Sequence, residues 1–344
     1  MRFHVFCTLP YTDFSQPLAA FYDDVFEIVD AAEALGFDGF WLAEHHTTSY
    51  SLSSAPLLLL AKAADRTKRI RLGTGVLVLP LWHPVRAASE VATLDLLSHG
   101  RLELGVGKGY QPIEFNAFQR TIAENNDAFN ECLTLMRRLW TEDEVTHHGR
   151  FFTLERPVTL QVRPFQKPHP PIWLATGQLP TVLEAAKMGL RPVVGGGNFN
   201  QSQMADMVQG HVKALRASGH NGEARFGSLR QAYVYREGGS IDAFAKHVRV
   251  QYRQARHLRM SIDAAKRGIA NSDPFPDEQP DDLFLARHLV GTAEQVVQKA
   301  RALESAGVTD VLLHFEGAGP PVKNVLASMQ RFAEEVMPEV RYSR

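Results

Sequence analysis

Leu35-Gly36-Phe37-Asp38-Gly39-Phe40-Trp41-Leu42-Ala43-Glu44-His45-His46 runs from the end of a helix, through a glycine, into an apolar strand that stops at a carboxylate and two imidazoles. Upstream, Val25, Ile28, Val29, Ala32 and Leu35 share one helical face. Gly36 stands where a left-handed residue ends a helix. The same join recurs at Met188-Gly189-Leu190 before Arg191-Pro192-Val193-Val194, and at Ala306-Gly307-Val308-Thr309-Asp310 before Val311-Leu312-Leu313. Strands without polar alternation, each fed by a helix, belong to a parallel sheet covered by helices. Eight candidate strands start near residues 3, 37, 70, 101, 171, 191, 228 and 310. Eight favours a closed (β/α)8 TIM barrel of parallel strands over an open sheet.

The other elements fit this alternation. Residues 3–9, 37–43, 70–79 and 101–107 read as strands, and residues 55–65 and a segment within 122–140 as helices. Pro84 is placed to open a further helix. Two stretches break the rhythm. Residues 143–170, with Gly149-Arg150-Phe151-Phe152 and several prolines, read as a hairpin insertion. Residues 270–284, with Asp273-Pro274-Phe275-Pro276-Asp277, form a surface loop, either passive or a lid over the barrel mouth. Residues 1–344 are otherwise expected to form one barrel domain.

Composition narrows the function. With 44% apolar residues in 344, the chain can fill a large core. A net charge of -1 offers no electrostatic footprint for nucleic acid. The two cysteines, Cys7 and Cys132, form no motif, which suits a reducing compartment. The N-terminus lacks the apolar core of a signal peptide, and Leu57-Leu58-Leu59-Leu60-Ala61 is too short to span a bilayer. The expectation is a soluble cytoplasmic protein without nucleic-acid or membrane partners.

In a barrel of this kind, strand C-termini hold the chemistry. Glu44-His45-His46 lies at one such end. Neighbouring strand residues point to opposite sides, so at most one histidine enters the site, as a general base or proton donor. Both can equally be ordinary loop histidines. Adjacent histidines chelate one ion poorly and no suitable partner spacing is near, so no metal is expected. Gly73-Thr74-Gly75 marks either a barrel bend or a flat ligand lying against the backbone. Gly105-Val106-Gly107-Lys108-Gly109-Tyr110 puts glycines beside a cation, a setting for an anion. Ala175-Thr176-Gly177-Gln178-Leu179-Pro180-Thr181 leads from a strand into a helix N-terminus, either a phosphate seat or plain capping. Gly195-Gly196-Gly197-Asn198 leaves room at the mouth or is simply a flexible loop.

The ordered set of these segments resembles the bacterial luciferase-like, flavin-dependent monooxygenase family. It includes Gly73-Thr74-Gly75-Val76-Leu77-Val78-Leu79-Pro80, His83-Pro84-Val85-Arg86, Asp95-Leu96-Leu97-Ser98-His99-Gly100-Arg101, Val290-Gly291-Thr292, Ala327-Ser328-Met329 and Val336-Met337-Pro338. The resemblance implies a (β/α)8 barrel that binds reduced FMN at its C-terminal face. It further implies that O2 and reduced FMN oxygenate a small organic substrate through a C4a-peroxyflavin, with a separate flavin reductase and a homodimeric assembly. By the same resemblance, His45 falls on the catalytic histidine and Glu44 on a carboxylate beside the flavin. Leu42, Gly75 and Val76 line the ring, with a non-proline cis peptide expected at Gly75-Val76. Lys108 falls on a phosphate-gripping arginine, and Gly177, Gln178 and Thr181 lie by the phosphate turn. Phe6, Tyr110, Phe115 and Gly196 are expected to line the substrate pocket. Lys108 keeps the charge but loses the bidentate fork. Gly107 replaces a cysteine of the light-emitting members, and the long loop of those members is shortened within residues 254–290, which argues against light emission. The rival expectations are a deazaflavin (F420)-dependent oxidoreductase on the same barrel and a non-catalytic flavin-binding protein.

Overall fold

Nearly every residue of the strands is buried whichever way it points, as a sheet between a filled lumen and a helical coat requires. In the computed structural model, which describes residues 1–344 except 196, 198, 317–320 and 342–344, eight parallel strands close into a barrel. They are β1 (Arg2–Cys7), β2 (Gly39–Leu42), β3 (Arg71–Thr74), β4 (Leu102–Gly107), β5 (Ile172–Thr176), β6 (Arg191–Val194), β7 (Gly227–Val234) and β8 (Asp310–His314). Closure comes from β6 on β7 (Gly227 opposite Val193) and β8 on β1 (Arg2 opposite Asp310). The expected fold is the one found, strand for strand.

The coat contains α1 (Leu18–Ala34), α2 (Pro56–Arg66), α3 (Pro84–Leu97), α4 (Pro112–Ala117), α5 (Asn125–Thr141), α6 (Leu179–Lys187), α7 (Gln201–Ala217), α8 (Asp242–Met260), α9 (Asp281–Leu285) and α10 (Ala293–Ser305), with further helical turns at the C-terminal end. Pro56, Pro84 and Pro112 occupy the first turns of α2, α3 and α4, where a missing N–H costs nothing. An antiparallel hairpin pairs residues 145–148 with 153–158. Among the described residues no helix is long and apolar enough to cross a membrane.

Three strand readings are shortened, the first of them ending at Cys7 rather than Leu9. The second strand begins at Gly39, because the amide of Asp38 already reaches the carbonyl of Phe3 from the incoming turn. The third is broken after Thr74: Gly75-Val76 is cis, and the chain resumes at Leu77–Val78 against Val106 and Gly107 of β4. A short strand missed in the sequence, Leu289–Gly291, pairs with β7 outside the barrel circuit.

The lumen is filled in layers. Its floor is a charged network at the strand N-termini. Asp310 accepts from His4 Nε2 (2.8 Å), Arg225 and the Thr309 hydroxyl, while Glu103 faces Arg71, Arg191 and Arg225. Above it Trp41 and Trp173 meet edge to face, with ring centroids 5.7 Å apart. Gly73 is there because a Cβ at that position would lie 2.0 Å from the Trp41 ring. Both indoles fill the middle of the barrel, so no channel passes through it.

Candidate active site at the C-terminal mouth

Alternation along each strand fixes what reaches the mouth. Phe6, Trp41, Ala43, Trp173, Val193 and Leu312 form the inner cluster, so the last inward positions of β2 to β6 are Ala43, Gly75, Gly107, Ala175 and Gly195. None carries more than a methyl group. Ala175 is solvent-exposed although it points into the barrel, and an added Cβ on Gly177 or Gly195 would meet nothing within 4 Å. This half of the mouth is an open, smooth-walled recess. Phe6 abuts it, since a Cβ on Gly75 would lie 2.8 Å from its ring, and Val76 packs on Gly107.

The other half is polar. Thr8, Gln231, His314 and Glu316 are the inward groups from β1, β7 and β8 and their extensions. Helix α8 roofs the mouth: Gln251 reaches the Thr8 hydroxyl at 2.6 Å, and Ala255 and Leu258 pack with Ile113 and Tyr50. Residues 249, 253, 256 and 257 lie on the opposite face of α8. There Arg249, Arg253 and Arg256 bind Asp281, Glu278 and Asp277, and His257 stacks on Phe275. The 270–284 segment, read as a loop but helical from Asp281 where α9 begins, therefore lies along the outer face of the roof.

His45 is the reactive group best placed between these halves. Its ring is buried, edge-on to Tyr50 and Tyr110 at 4.9 and 5.6 Å. Nδ1 lies 3.0 Å from Glu114 Oε1 and 3.1 Å from the Gln111 amide nitrogen. A carboxylate only accepts, so with the proton on Nδ1 the ring donates to Glu114, and Nε2 offers a lone pair. With Nδ1 bare, Gln111 can donate to it and Nε2 carries the proton. Either tautomer is served, and Nε2 has no partner among the described residues. His45 can thus take or give a proton at Nε2 without orphaning Nδ1. The phenols beside it stay neutral: burial pushes Tyr50 well above the usual tyrosine range and raises Tyr110.

Local sequence explains the dyad. Gly109, at φ +74°, turns the chain off β4 where a Cβ would strike Phe115 and Val78 at 2.7 Å. Pro112 then starts α4, and Glu114, two residues on, points back under His45 and also accepts the His46 amide at 2.8 Å. Tyr110 flanks His45, and Phe115 is buried beneath Gly109.

The other sequence-derived residues separate. Glu44 is buried and fully engaged: it takes the Val78 amide (2.7 Å), the Trp82 indole (2.9 Å) and His46 Nε2 (2.8 Å). It fixes the segment that follows the cis peptide. The Leu42 side chain lies in the outer core between barrel and helices, and only its carbonyl, which accepts the Gly75 amide at 2.7 Å, serves the mouth. Lys108 follows Gly107 on the rim and donates to Asn126 at 2.6 Å. On the neighbouring strand end, Gly177 and Gln178 are exposed, Thr181 is half-buried, and the Gln178 amide is held by the Thr176 hydroxyl. A cation and a helix N-terminus on adjacent strand ends, beside a smooth recess, fit a flat ring with a phosphorylated tail. Gly196 lies outside the described residues. A groove of 1020 Å³ between residues 47–54 and 263–273 shares none of these groups and lies beside the mouth. Glu114, Gln111, Tyr50, Gln231, His314 and Gln251 were not singled out in the sequence. Only Glu114 left a trace there, as an acidic residue just after a helix-opening proline.

The chain and its fold have known relatives. The family model described as luciferase-like monooxygenase matches residues 1–310. The chain is 30% identical to the uncharacterized protein y4vJ of Sinorhizobium fredii, covering 100% of this chain and 98% of that protein. It is 25% identical to the oxygenase component of the flavin-dependent trigonelline monooxygenase of Acinetobacter baylyi, over 100% of this chain and 97% of that one. Among solved structures, the monooxygenase RslO1 of Streptomyces bottropensis superposes with a TM-score of 0.84 at 26% identity, with both chains fully covered. With the model spanning most of its length and both strand-end segments in place, the chain belongs to the luciferase-like monooxygenase family.

Proposed function

We propose that this protein is the oxygenase component of a two-component flavin monooxygenase, using reduced FMN from a separate reductase and O2 to oxygenate a small organic substrate. The observation that carries the reading is the smooth recess formed by Ala43, Gly75, Gly107 and Ala175 beside His45, whose Nε2 is open and whose Nδ1 is backed by Glu114. Gly75-Val76 and the small residues would hold the ring, and Lys108 with Gly177, Gln178 and Thr181 the phosphate. Reduced FMN, when bound, supplies the electrons that activate O2.

The chain's own groups do the rest. Phe6 and the two indoles below give the reacting face an apolar wall, and α8 covers the polar side of the mouth. His45 holds or releases one proton at Nε2, and Glu114 stabilises the charged ring through Nδ1. Glu44 is a positioning residue for the Val78 backbone and His46. The whole chain acts as one catalytic unit, with residues 270–284, strapped to α8 by ion pairs, as its lid. Exposed Leu58 on α2 and Leu97 on α3, two packed helices, support a homodimer face. Two buried free thiols suit a reducing cytoplasm.

The test is anaerobic titration with reduced FMN followed by rapid mixing with oxygenated buffer. Saturable binding and reoxidation much slower than that of free reduced FMN are expected. No binding, or reoxidation at the free-flavin rate, refutes the reading.

A further inference from the structure

The polar half of the mouth forms one connected chain of hydrogen bonds. Glu316 can only accept, and it takes the Thr8 hydroxyl proton (3.1 Å) and the amides of Thr8 and Leu9 (2.5 and 2.7 Å). The Thr8 oxygen, its proton spent, accepts from the Gln251 amide at 2.6 Å and from His314 Nε2 at 3.1 Å. With the Thr8 proton on Glu316, His314 carries its proton on Nε2, and Nδ1 accepts from the Gln231 amide nitrogen at 3.1 Å. That nitrogen also faces Gln251 Oε1 at 3.4 Å. With His314 and Gln251 placed so, turning the Gln231 amide would set its oxygen against two acceptors. Its Oε1 is left over: it is buried and has no partner. One turn along α8 from Gln251, Gln254 is 4% exposed, and its Oε1 is also buried without a partner. It lies on the same helix face between Gln251, which touches Thr8, and Leu258, which packs with the Tyr50 ring beside His45.

Buried polar atoms without partners are rare in folded proteins, and at a mouth they mark where a ligand completes the set. Gln111 Oε1, beside His45, is a third such atom, and the two carbonyl acceptors on the wall and roof opposite the smooth recess call for donors on the substrate. We propose that Gln231 and Gln254 are specificity-determining residues that read a hydroxyl or N–H group on the substrate. This rests on the reading of the mouth as the active site. The substrate class is then a compact molecule with a donor group, an alcohol, phenol or N–H heterocycle carrying the oxidisable position, and plain hydrocarbons and alkanals are disfavoured. A site built to accept from a substrate donor rejects the analogue without it far more strongly than a greasy pocket rejects a missing methylene.

Matched probes test this by binding, without turnover. The full-length protein is titrated calorimetrically under anaerobic conditions, with and without reduced FMN. The probe pairs are 4-hydroxybenzaldehyde against 4-methylbenzaldehyde and indole against 1-methylindole. The wild-type protein is expected to prefer the donor-bearing member of at least one pair by about 10- to 100-fold, the range for one buried acceptor left unpaired. Gln231→Met and Gln254→Leu are each expected to shrink that ratio toward one, with the affinity for the methylated member kept or raised. A merely structural role would weaken both members alike and leave the ratio standing. No discrimination in any pair, including no binding at all, overturns the proposal, and so does a preference that survives in both variants. Reduced FMN binding in the same titrations reports separately on the flavin reading. If FMN binds and no pair is discriminated, only the specificity proposal falls. If FMN fails to bind, the flavin reading falls whatever the ratios.

Discussion

Replacing Glu114 by glutamine isolates what the carboxylate does for His45. The amide keeps an oxygen that can accept from His45 Nδ1 and the His46 amide, now 3.0 and 2.8 Å from Oε1. Its nitrogen would take the place of Oε2, which is buried and has no partner, so little packing changes. The charge is lost. A hydrogen bond to a charged group is worth about 1.5–3 kcal/mol and a neutral one about 0.5–1.5 kcal/mol. The Nδ1-protonated ring therefore loses about 1 kcal/mol or slightly more, roughly a tenfold change in any equilibrium that places the proton there. Nitrogen-15 spectra of histidine-labelled protein, with His45 assigned through His45→Gln, report the tautomer directly. The Nδ1–H form is expected to dominate in the wild-type protein and to fall about tenfold relative to Nε2–H in Glu114→Gln, where Gln111 serves the bare Nδ1. On a substrate that stimulates oxygen uptake, kcat is expected to fall about tenfold while the dissociation constant for reduced FMN stays put. An unchanged tautomer ratio, or a loss of flavin affinity at full kcat, refutes the assignment.

Other outcomes follow from the same structure. His288 is buried beside Arg230 and Lys299, and burial first and these cations second push it down to about 3. The unfolded chain then binds more protons between about pH 3 and pH 6.5, so stability is complete above that window and falls as the pH drops. Urea denaturation is expected to show about 2 kcal/mol lost between pH 7.5 and pH 5, and His288→Gln to flatten that slope. Asp310, held well below the usual carboxylate range by His4 and Arg225 against the cost of burial, contributes stability above its unfolded value and loses it only in stronger acid. Asp310→Asn removes the main carboxylate partner of buried Arg225 and leaves it only Glu103 at 3.4 Å, and is expected to cost about 2–4 kcal/mol in chemical denaturation at neutral pH. Gly73→Ala drives a methyl into the Trp41 ring and should yield insoluble or strongly destabilised protein, with Trp41→Leu restoring solubility in the double variant. Lys108→Ala should weaken reduced FMN binding about tenfold at low salt and less at high salt, measured by fluorescence titration.

How much of this was legible in the sequence depends on whether the signal is local. Barrel strands are apolar on both faces, and glycine joins such as Leu35-Gly36-Phe37 punctuate them, so all eight were found from short windows. The cis bond at Gly75-Val76 and the place of His45 came from resemblance, since nothing in Gly73-Thr74-Gly75 decides between a bend and a ligand wall. Glu44 illustrates the limit. Sequence puts a carboxylate next to His45, and the structure turns it to Val78, Trp82 and His46, because adjacent residues at a strand end diverge. The carboxylate that meets His45 comes from 69 residues downstream, through a helix only six residues long. No periodicity announces that contact.

The roof shows why the polar half of the mouth could not be read at all. Helix α8 carries Arg249, Arg253 and Arg256 on one face and Gln251 and Gln254 on the other, with Arg259 over the Tyr110 ring at its end, and by composition either face could be solvated. Which one is buried is settled by partners from three distant places. Asp277, Glu278 and Asp281 take the arginines, Thr8 takes Gln251, and Tyr50 with Ile113 takes Ala255 and Leu258. Once Arg249, Arg253 and Arg256 are strapped to that segment, Gln254 has to point inward. Its unpaired oxygen over the mouth thus follows from charge pairing on the opposite side of the same helix. Cutting the strap with Glu278→Gln should therefore loosen substrate selection before it touches flavin binding.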